Sequence, residues 1–214
     1  MFWYEDEDKT IVNGNRVLYN EKKRQEILCM NHIGTKRLET DRLILRPFIP
    51  EDDAPMFRNW ASDPMVTRYL TWSTHTDPSV TSTTIGHWIE RYCDPSYYHW
   101  AVELKSIDEP IGSISGVRID EDTGSVEIGY CIGRHWWGQG LVAEAVRALM
   151  AFFFERVGVR RVVACHHPDN PNSGRVMQKC GMTYDGAWPK KGEALELKWY
   201  SLSREEYANQ QRSC

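Results

Sequence analysis

The segment SVEIGYCIGRHWWGQGLVAEA, residues 125–145, decides how the rest of the sequence is interpreted. Its first eight residues alternate in polarity with the period of a β-strand, so that Glu127 faces away from the apolar side chains. Gly138 and Gly140 follow, and the apolar spacing after them predicts a helix over residues 139–156. A glycine pair between a strand and a helix lets the backbone come close to a ligand.

The composition is that of one ordinary globular domain, with 214 residues, 41% hydrophobic and 26% charged. A net charge of -4 disfavours a general nucleic-acid binder, which is usually basic. The acidic start MFWYEDED differs from the basic start of a secretory signal, and the longest apolar stretch is too short and too charged to span a bilayer. We therefore expect a cytoplasmic protein with no nucleic-acid partner and no membrane association.

The 6 cysteines are scattered and include no Cys-x-x-Cys pair. In a protein without a secretory signal, this pattern predicts free thiols rather than a disulfide framework. Cys165, His166 and His167 are adjacent, but neighbouring residues on an extended segment point to opposite faces, which is poor geometry for a metal site. We therefore expect no metal.

The order of the predicted elements indicates a mixed α/β fold with one sheet. Residues 1–36 lack strand alternation and are predicted to be an N-terminal extension, with a short helix over residues 20–30. Residues 37–214 are predicted to form one domain, which starts with a strand at RLILRPF and three short helices, the third with Val80 facing inward. A three-stranded antiparallel meander, a helix, a strand and a second helix follow, and TYDGAW and LELKWYSLSREEY are predicted to be the last strands.

The glycine pair allows three interpretations. GQGLVA fits the dinucleotide fingerprint Gly-x-Gly-x-x-Ala, but GRHWW separates the glycines from the strand, and basic rather than acidic residues follow about 20 positions later. No Gly-Lys-Ser/Thr occurs, which excludes a P-loop. A helix start offers unpaired N–H groups and the positive end of the helix dipole, which together bind a diphosphate. The loop is therefore a diphosphate cradle or a turn that starts a buried helix.

Four motifs are spread, in this order, over the part of the chain between residues 37 and 207: RLETDRLILRPF, NWASDPMVTRYLTW, EIGYCIGRHWWGQGLVAEA and NPNSGRVMQKCGM. Together they resemble the RimJ/RimL branch of the GNAT superfamily of acyl-CoA-dependent acetyltransferases. The resemblance implies the GNAT fold, a single central, mostly antiparallel, twisted sheet flanked by helices, with acetyl-CoA as cosubstrate. The family's Arg/Gln-x-x-Gly-x-Gly/Ala motif starts here at His135, with Arg134 one residue earlier, so the side chain that meets the phosphates stays open.

Acetyl transfer from a thioester to an amine needs a proton acceptor, a donor to the carbonyl oxygen and a proton for the leaving thiolate. The resemblance implies Glu127 as the base, often through water, and Ser173 as the proton donor to the CoA sulfur. It also implies a backbone N–H near Cys131 and Ile132 on the carbonyl oxygen, and Asn170 on the pantetheine arm. The predicted cosubstrate-binding residues are Ile132, Trp137, Gly138, Gln139, Gly140, Leu141, Val142, Asn170 and Ser173.

The residues alone leave alternatives open. Glu127 is either a lone carboxylate beside small residues or a structural, salt-bridged one. Asn170 and Ser173 also fit a helix N-cap. Some members of the superfamily use a tyrosine seven positions after the asparagine, where this sequence has Met177, which favours the serine. A nucleophilic Cys131 has no histidine paired with it in the motif.

The acceptor is predicted to bind beside Tyr69 and Trp72, which follow a short helix and whose aromatic faces suit a cationic amine. The resemblance implies direct attack in a ternary complex by a primary amine, either a protein N-terminal α-amine or a small-molecule amine. The alternative is a non-catalytic acyl-CoA-binding regulatory module on the same fold. Similar proteins commonly form a homodimer.

Overall fold

Eight strands lie in one open sheet, in the order β1-β2-β3-β4-β5-β6-β8-β7, in the computed structural model, which describes residues 30–190 and 194–212. Helices cover the sheet, so the expected mixed α/β fold is confirmed. The strands are β1 Leu38–Glu39, β2 Leu43–Arg46, β3 Tyr98–Leu104, β4 Glu109–Asp120, β5 Ser125–Ile132, β6 Arg161–His166, β7 Thr183–Pro189 and β8 Glu196–Ser203. The α-helices are α1 Asp53–Met56, α2 Pro64–Thr67, α3 Pro78–Glu90, α4 Leu141–Ala151, α5 Pro171–Lys179 and α6 Arg204–Arg212.

Neighbouring strands are antiparallel except for β5 and β6, which are parallel. The predicted meander is confirmed as β3, β4 and β5, which short polar turns connect. A parallel pair needs a crossover, and α4 supplies it, continuing in wider turns over Phe152–Val157.

Successive residues of β3 supply the two cores of the protein because strand side chains alternate between faces. Trp100 packs with Leu149 and Phe153 in the large core under α4. Ala101 lies in the smaller core on the opposite face, with Trp60 and the other buried side chains of the early helices. Both faces of the sheet are therefore covered near β3. Pairing of β4 with β3, and of β5 with β4, then fixes the positions of these two strands.

The predicted last strand, LELKWYSLSREEY, is partly wrong, because residues 204–212 form α6. The Ser203 Oγ accepts the Glu206 N–H at 3.2 Å, and the Glu206 carboxylate accepts the Ser203 N–H at 2.8 Å. This reciprocal pair is a capping box, which starts a helix. The inward placement of Val80 is also wrong, since its side chain is 42% exposed. Thr81 is buried instead, against His75.

Residues 30–36 pack on the domain rather than away from it. Met30 is buried in the large core, and the Asn31 N–H donates to the Val157 carbonyl at 2.8 Å. The Lys36 carbonyl accepts the indole N–H of Trp100 at 2.6 Å. The boundary between an extension and a domain at residue 37 stays a prediction, and the predicted helix over residues 20–30 lies outside the described residues except for Met30.

None of the helices in the described parts of the chain has the length and apolar character that a bilayer span requires.

Substitution of Gly112 tests how closely β4 must approach β5. A Cβ at Gly112 would lie 2.3 Å from the Cys131 carbonyl oxygen and 2.8 Å from the Ile132 Cα, both in the backbone of β5. We expect Gly112→Ala to lower the free energy of unfolding by about 2 kcal/mol, because the two strands must move apart. Urea denaturation followed by circular dichroism measures it.

Gly86→Ala is the matched control. Gly86 lies inside α3, and nothing is within 4 Å of a Cβ there. Alanine favours a helix over glycine, so we expect this substitution to raise the free energy of unfolding by roughly 0.5–1 kcal/mol. Equal losses in the two variants would contradict the close approach of β4 to β5.

Candidate active site

The strands β5 and β6 separate soon after they begin to pair. They are paired at three positions, from Ser125 opposite Arg161 to Glu127 opposite Val163. β5 continues to Ile132 and β6 to His166 without further pairing between the two strands. An unpaired strand edge presents backbone N–H and C=O groups to whatever lies beside it. We call the space between the diverging strands the wedge.

The open edge of β5 carries the N–H of Ile132. The Gly133 N–H donates to the Ile111 carbonyl of β4 at 2.8 Å, so Gly133 faces β4. Because backbone groups alternate along a strand, the N–H and C=O of Ile132 face the wedge side instead. The Ile132 carbonyl accepts the indole N–H of Trp137 at 2.8 Å, in agreement with this orientation.

A cavity of about 970 Å³ lies against the wedge and brings together five of the predicted residues. Glu127 comes from β5, Asn170 and Ser173 from the start of α5, and Tyr69 and Trp72 from the segment after α2. Residues far apart in sequence therefore line one cavity, beside an unpaired strand edge.

The glycine loop lies outside that cavity. Gly138 and Gly140 have φ angles of 75° and 79°, in the left-handed region that favours glycine. Gly140 occupies the N-cap position of α4, where no side chain caps the helix, so its first N–H groups are available to a ligand. Arg42, directly before β2, fixes the loop by donating to the Gln139 carbonyl at 3.0 Å and to Glu144 at 2.7 Å.

The predicted cosubstrate residues around the loop have distinct environments. Trp137 is 44% exposed and its indole bonds Ile132, while the Leu141 side chain is buried in the core, leaving only its backbone to a ligand. Ile132 and Val142 line a second cavity of about 10 Å³ together with Tyr130 and Cys131, which also line the large cavity. The loop and the large cavity are thus neighbours through β5.

Glu127 is not a lone carboxylate. It is only 6% exposed, and its Oε1 accepts a hydrogen bond from the Lys190 Nζ at 2.6 Å. The Arg118 Nε lies 3.8 Å from Oε2, and the Cys165 thiol lies 3.7 Å from Oε1. The salt-bridged alternative is therefore present, in a carboxylate that also lines the cavity.

Ser173 has a partner that sequence reasoning missed. The Tyr130 hydroxyl lies 3.0 Å from the Ser173 Oγ and also donates to the Ser173 carbonyl at 3.0 Å. Burial raises the pKa of Tyr130, so its proton stays in place at neutral pH. Met177, at the position of the helix tyrosine in some relatives, is buried in the core. A tyrosine hydroxyl therefore reaches the serine from β5, not from α5.

Asn170 occupies the N-cap position of α5, but its side chain makes no capping hydrogen bond. The predicted N-cap position of Asn170 is confirmed, but its side chain is not the cap, and the residue also lines the cavity. Asn172, the other residue considered for the cap, accepts a hydrogen bond from Arg175 at 3.2 Å. The asparagine at the mouth of the wedge is thus available to a ligand.

The remaining polar groups restrict the chemistry. Burial raises the pKa of the Cys131 thiol, which disfavours a nucleophilic thiolate. Burial also lowers the pKa of His99, in the cavity wall, to about 3, so this imidazole is neutral. Arg134 forms an ion pair with Asp63 at 3.1 Å, and His135 offers its carbonyl to Gln139. Within the described residues, no group of three or more histidines, cysteines or carboxylates is arranged to hold a metal ion.

Comparisons with known proteins agree on one family. The family model described as an acetyltransferase (GNAT) domain matches residues 42–183. The N-acetyltransferase p20 of Bacillus licheniformis is 31% identical over 175 residues, which are 80% of this chain and 98% of p20. The ribosomal-protein-serine acetyltransferase of Escherichia coli (strain K12) is 35% identical over 79 residues, 37% of this chain and 44% of that protein.

Solved structures show the same fold. RimL, a ribosomal α-N-protein acetyltransferase in complex with coenzyme A, superposes with a TM-score of 0.69 at 20% identity, over 78% of this chain and 98% of RimL. A GCN5-related N-acetyltransferase from Brucella melitensis superposes with a TM-score of 0.72 at 19% identity, over 84% of this chain and 83% of that one.

The contact between Tyr130 and Ser173 is testable through stability. We expect Tyr130→Phe to lower the free energy of unfolding by about 1 kcal/mol, because the hydroxyl that bonds Ser173 is removed from a buried site. Tyr207→Phe is the control, since the Tyr207 hydroxyl bonds an exposed carboxylate, Glu155, at 2.7 Å. Chemical denaturation compares the two variants, and a larger loss in Tyr207→Phe would contradict the burial of the pair.

Proposed function

The chain belongs to the GNAT family of acetyltransferases, and we propose that it transfers the acetyl group of acetyl-CoA to a primary amine by direct attack in the wedge. The observation that carries this proposal is the convergence of Glu127, Asn170 and Ser173 on one cavity beside the open edge of β5. A base, an amide and a hydroxyl at an unpaired strand edge are the groups that acyl transfer from a thioester needs.

Glu127 accepts the proton of the attacking amine, directly or through water. It is the single carboxylate among the described residues of the cavity wall. The amine nitrogen bonds to the thioester carbon as that carbon's oxygen gains negative charge. The N–H of Ile132, on the wedge edge of β5, is the donor for this oxygen, since a fixed backbone donor stabilises charge as it develops.

Ser173 protonates the sulfur when the C–S bond breaks. Its Oγ lies 3.0 Å from the Tyr130 hydroxyl, which holds the serine in place. After the products leave, solvent returns a proton to Ser173 and takes the amine proton from Glu127. The thiolate of CoA leaves as a thiol and the amine leaves as an amide, which balances the protons. Asn170 binds the pantetheine arm, and the loop from Gly138 to Val142 binds the diphosphate with its backbone N–H groups.

The acceptor is a primary amine, either a protein N-terminal α-amine or an amine of a small molecule. The ribosomal-protein acetyltransferases among the relatives support a protein acceptor. An α-amine has an ordinary pKa of about 7.7–8.0, so it loses its proton more readily than a lysine near 10.4. A cytoplasmic location and a homodimer remain predictions.

Two substitutions test the proposed roles. We expect Glu127→Gln to lower kcat/KM for the acceptor about 100-fold and Ser173→Ala about 10-fold, because each removes one proton transfer. Affinity for acetyl-CoA, measured by calorimetry, should change little in Glu127→Gln. Product formation is followed by mass spectrometry with a panel of peptides and small amines.

Glu90→Gln and Ser106→Ala are the matched controls, since both residues are exposed and lie outside the cavity wall. Unchanged turnover in both Glu127→Gln and Ser173→Ala would contradict the proposed mechanism. Binding of acetyl-CoA without acetylation of any amine would favour the non-catalytic regulatory module.

A further inference from the structure

The cavity wall has a charge opposite in sign to that of the whole chain. The net charge of the chain is -4. Among the described residues of the wall, the charged side chains are one carboxylate, Glu127, and four cations, Arg68, Arg91, Arg118 and Lys190. A cavity lined by one sign of charge attracts ligands of the other sign. The charge of the wall therefore affects which amines bind in the cavity.

Two cations of the described cavity wall lie beside Glu127. Lys190 at 2.6 Å and Arg118 at 3.8 Å share this carboxylate, and Arg118 also lies near Asp120, outside the wall. The Glu127 carboxylate is 7% exposed and Lys190 28%, so solvent screens this pair less than a surface pair. Among the described residues of the cavity wall, cations therefore outnumber carboxylates around the position where the amine must lose its proton.

The other two cations occupy the aromatic faces that would suit a cationic amine. The guanidinium of Arg91 lies 4.1 Å from the centre of the Tyr97 ring, and that of Arg68 lies 5.2 Å from the centre of the Tyr69 ring. A ring face that already holds an arginine is not open to an ammonium group. The expectation that Tyr69 offers its face to a cationic amine is thus not supported.

From this arrangement we propose that the acceptor is an amine that also carries an anionic group, a carboxylate or a phosphate, which binds Lys190 and Arg118. The proposal rests on the proposed function, because it assigns the substrate class of that same site. Since one hydrogen bond spans about 3 Å and the Lys190 Nζ lies 2.6 Å from the Glu127 Oε1, an anion on Lys190 lies within roughly 9 Å of an amine held by Glu127. Amino acids and other short anionic amines have this spacing.

Binding of the anion also prepares the base. Lys190 is a positioning residue, since it acts through Glu127 and through the substrate's anion. When the anion accepts a hydrogen bond from the Lys190 ammonium, the Oε1 of Glu127 no longer accepts the Lys190 N–H at 2.6 Å. That oxygen then accepts a hydrogen bond from the amine. A polyamine has no anion to exchange, and its ammonium groups are repelled by the four cations. The site therefore disfavours a polyamine for both of these reasons.

The test compares acceptors in pairs that differ in the anion, with kcat/KM expressed per concentration of neutral amine, because a carboxylate also raises the pKa of a neighbouring amine. The pairs are the free amino acids against their α-amides, O-phosphoethanolamine against ethanolamine, and the peptide amide Ser-Asp-Ala against Ser-Asn-Ala. For the wild type we expect kcat/KM to be about tenfold higher for the anionic member of the preferred pair, the effect of one charged hydrogen bond. The first two pairs identify a small-molecule source of the anion, and the third identifies a peptide.

Lys190→Met should remove this preference by raising KM for the anionic member, so that the ratio of kcat/KM between the anionic member and its neutral partner falls from about ten to about one. Lys179→Met is the matched control, since Lys179 is exposed on α5 outside the cavity wall. A neutral member that is used as well as its anionic partner in every pair would overturn the inference, and leave the acetyltransferase function standing. An equal effect of Lys190→Met on kcat/KM for both members of a pair would also overturn the inference.

A binding measurement keeps the inference independent of turnover. N-acetylalanine and N-acetylalaninamide are titrated into the full chain, and the fluorescence of Trp72 and Trp88, both in the cavity wall, reports on binding. We expect the acid to bind about tenfold more tightly, and Lys190→Met to abolish the difference. Equal affinities in the wild type would overturn the inference. Tighter binding of the acid without turnover of any amine would contradict the proposed function alone.

Discussion

The early end of pairing between β5 and β6 is the constraint on which the site depends. Three paired positions hold the two strands together at one end, and the side chains of α4 and β3 fix β5 from the core side. Beyond Glu127 the edge of β5 has no strand beside it, so its backbone groups are available to a ligand. Had the pairing continued to Ile132, the N–H that stabilises the oxyanion in our account would be used within the sheet.

The wedge also explains why residues from distant parts of the chain meet. β5 places Glu127 on one face and Tyr130 on the other, and only residues 167–170 separate the end of β6 from the start of α5. Ser173 therefore lies where the Tyr130 hydroxyl can reach it, at 3.0 Å. One strand, β5, therefore carries both the Glu127 carboxylate, which accepts the amine proton in our account, and the Tyr130 hydroxyl, which holds Ser173 beside the sulfur.

Local patterns in the sequence predict the strand β5, the glycine loop and the outward direction of Glu127, because each depends on neighbouring residues. Ser203 and Glu206 also have the spacing of a capping box, which predicts the start of a helix. The alternation of the preceding strand continues through these residues and predicts a strand instead. The partners of the site were beyond prediction for a different reason. The contact of Tyr130 lies 43 residues away on α5, and Lys190 lies 63 residues from Glu127. Such contacts are set by the packing of whole elements, which periodicity does not encode.

The central claim, that the wedge holds the thioester for acyl transfer, is tested most directly by a crystal structure of the full chain with acetyl-CoA. The account predicts the acetyl carbonyl oxygen within hydrogen-bonding distance of the Ile132 N–H, the sulfur beside Ser173, and the diphosphate on the N–H groups between Gly138 and Val142. A thioester bound away from the open edge of β5, with the N–H of Ile132 in contact with protein alone, would contradict it.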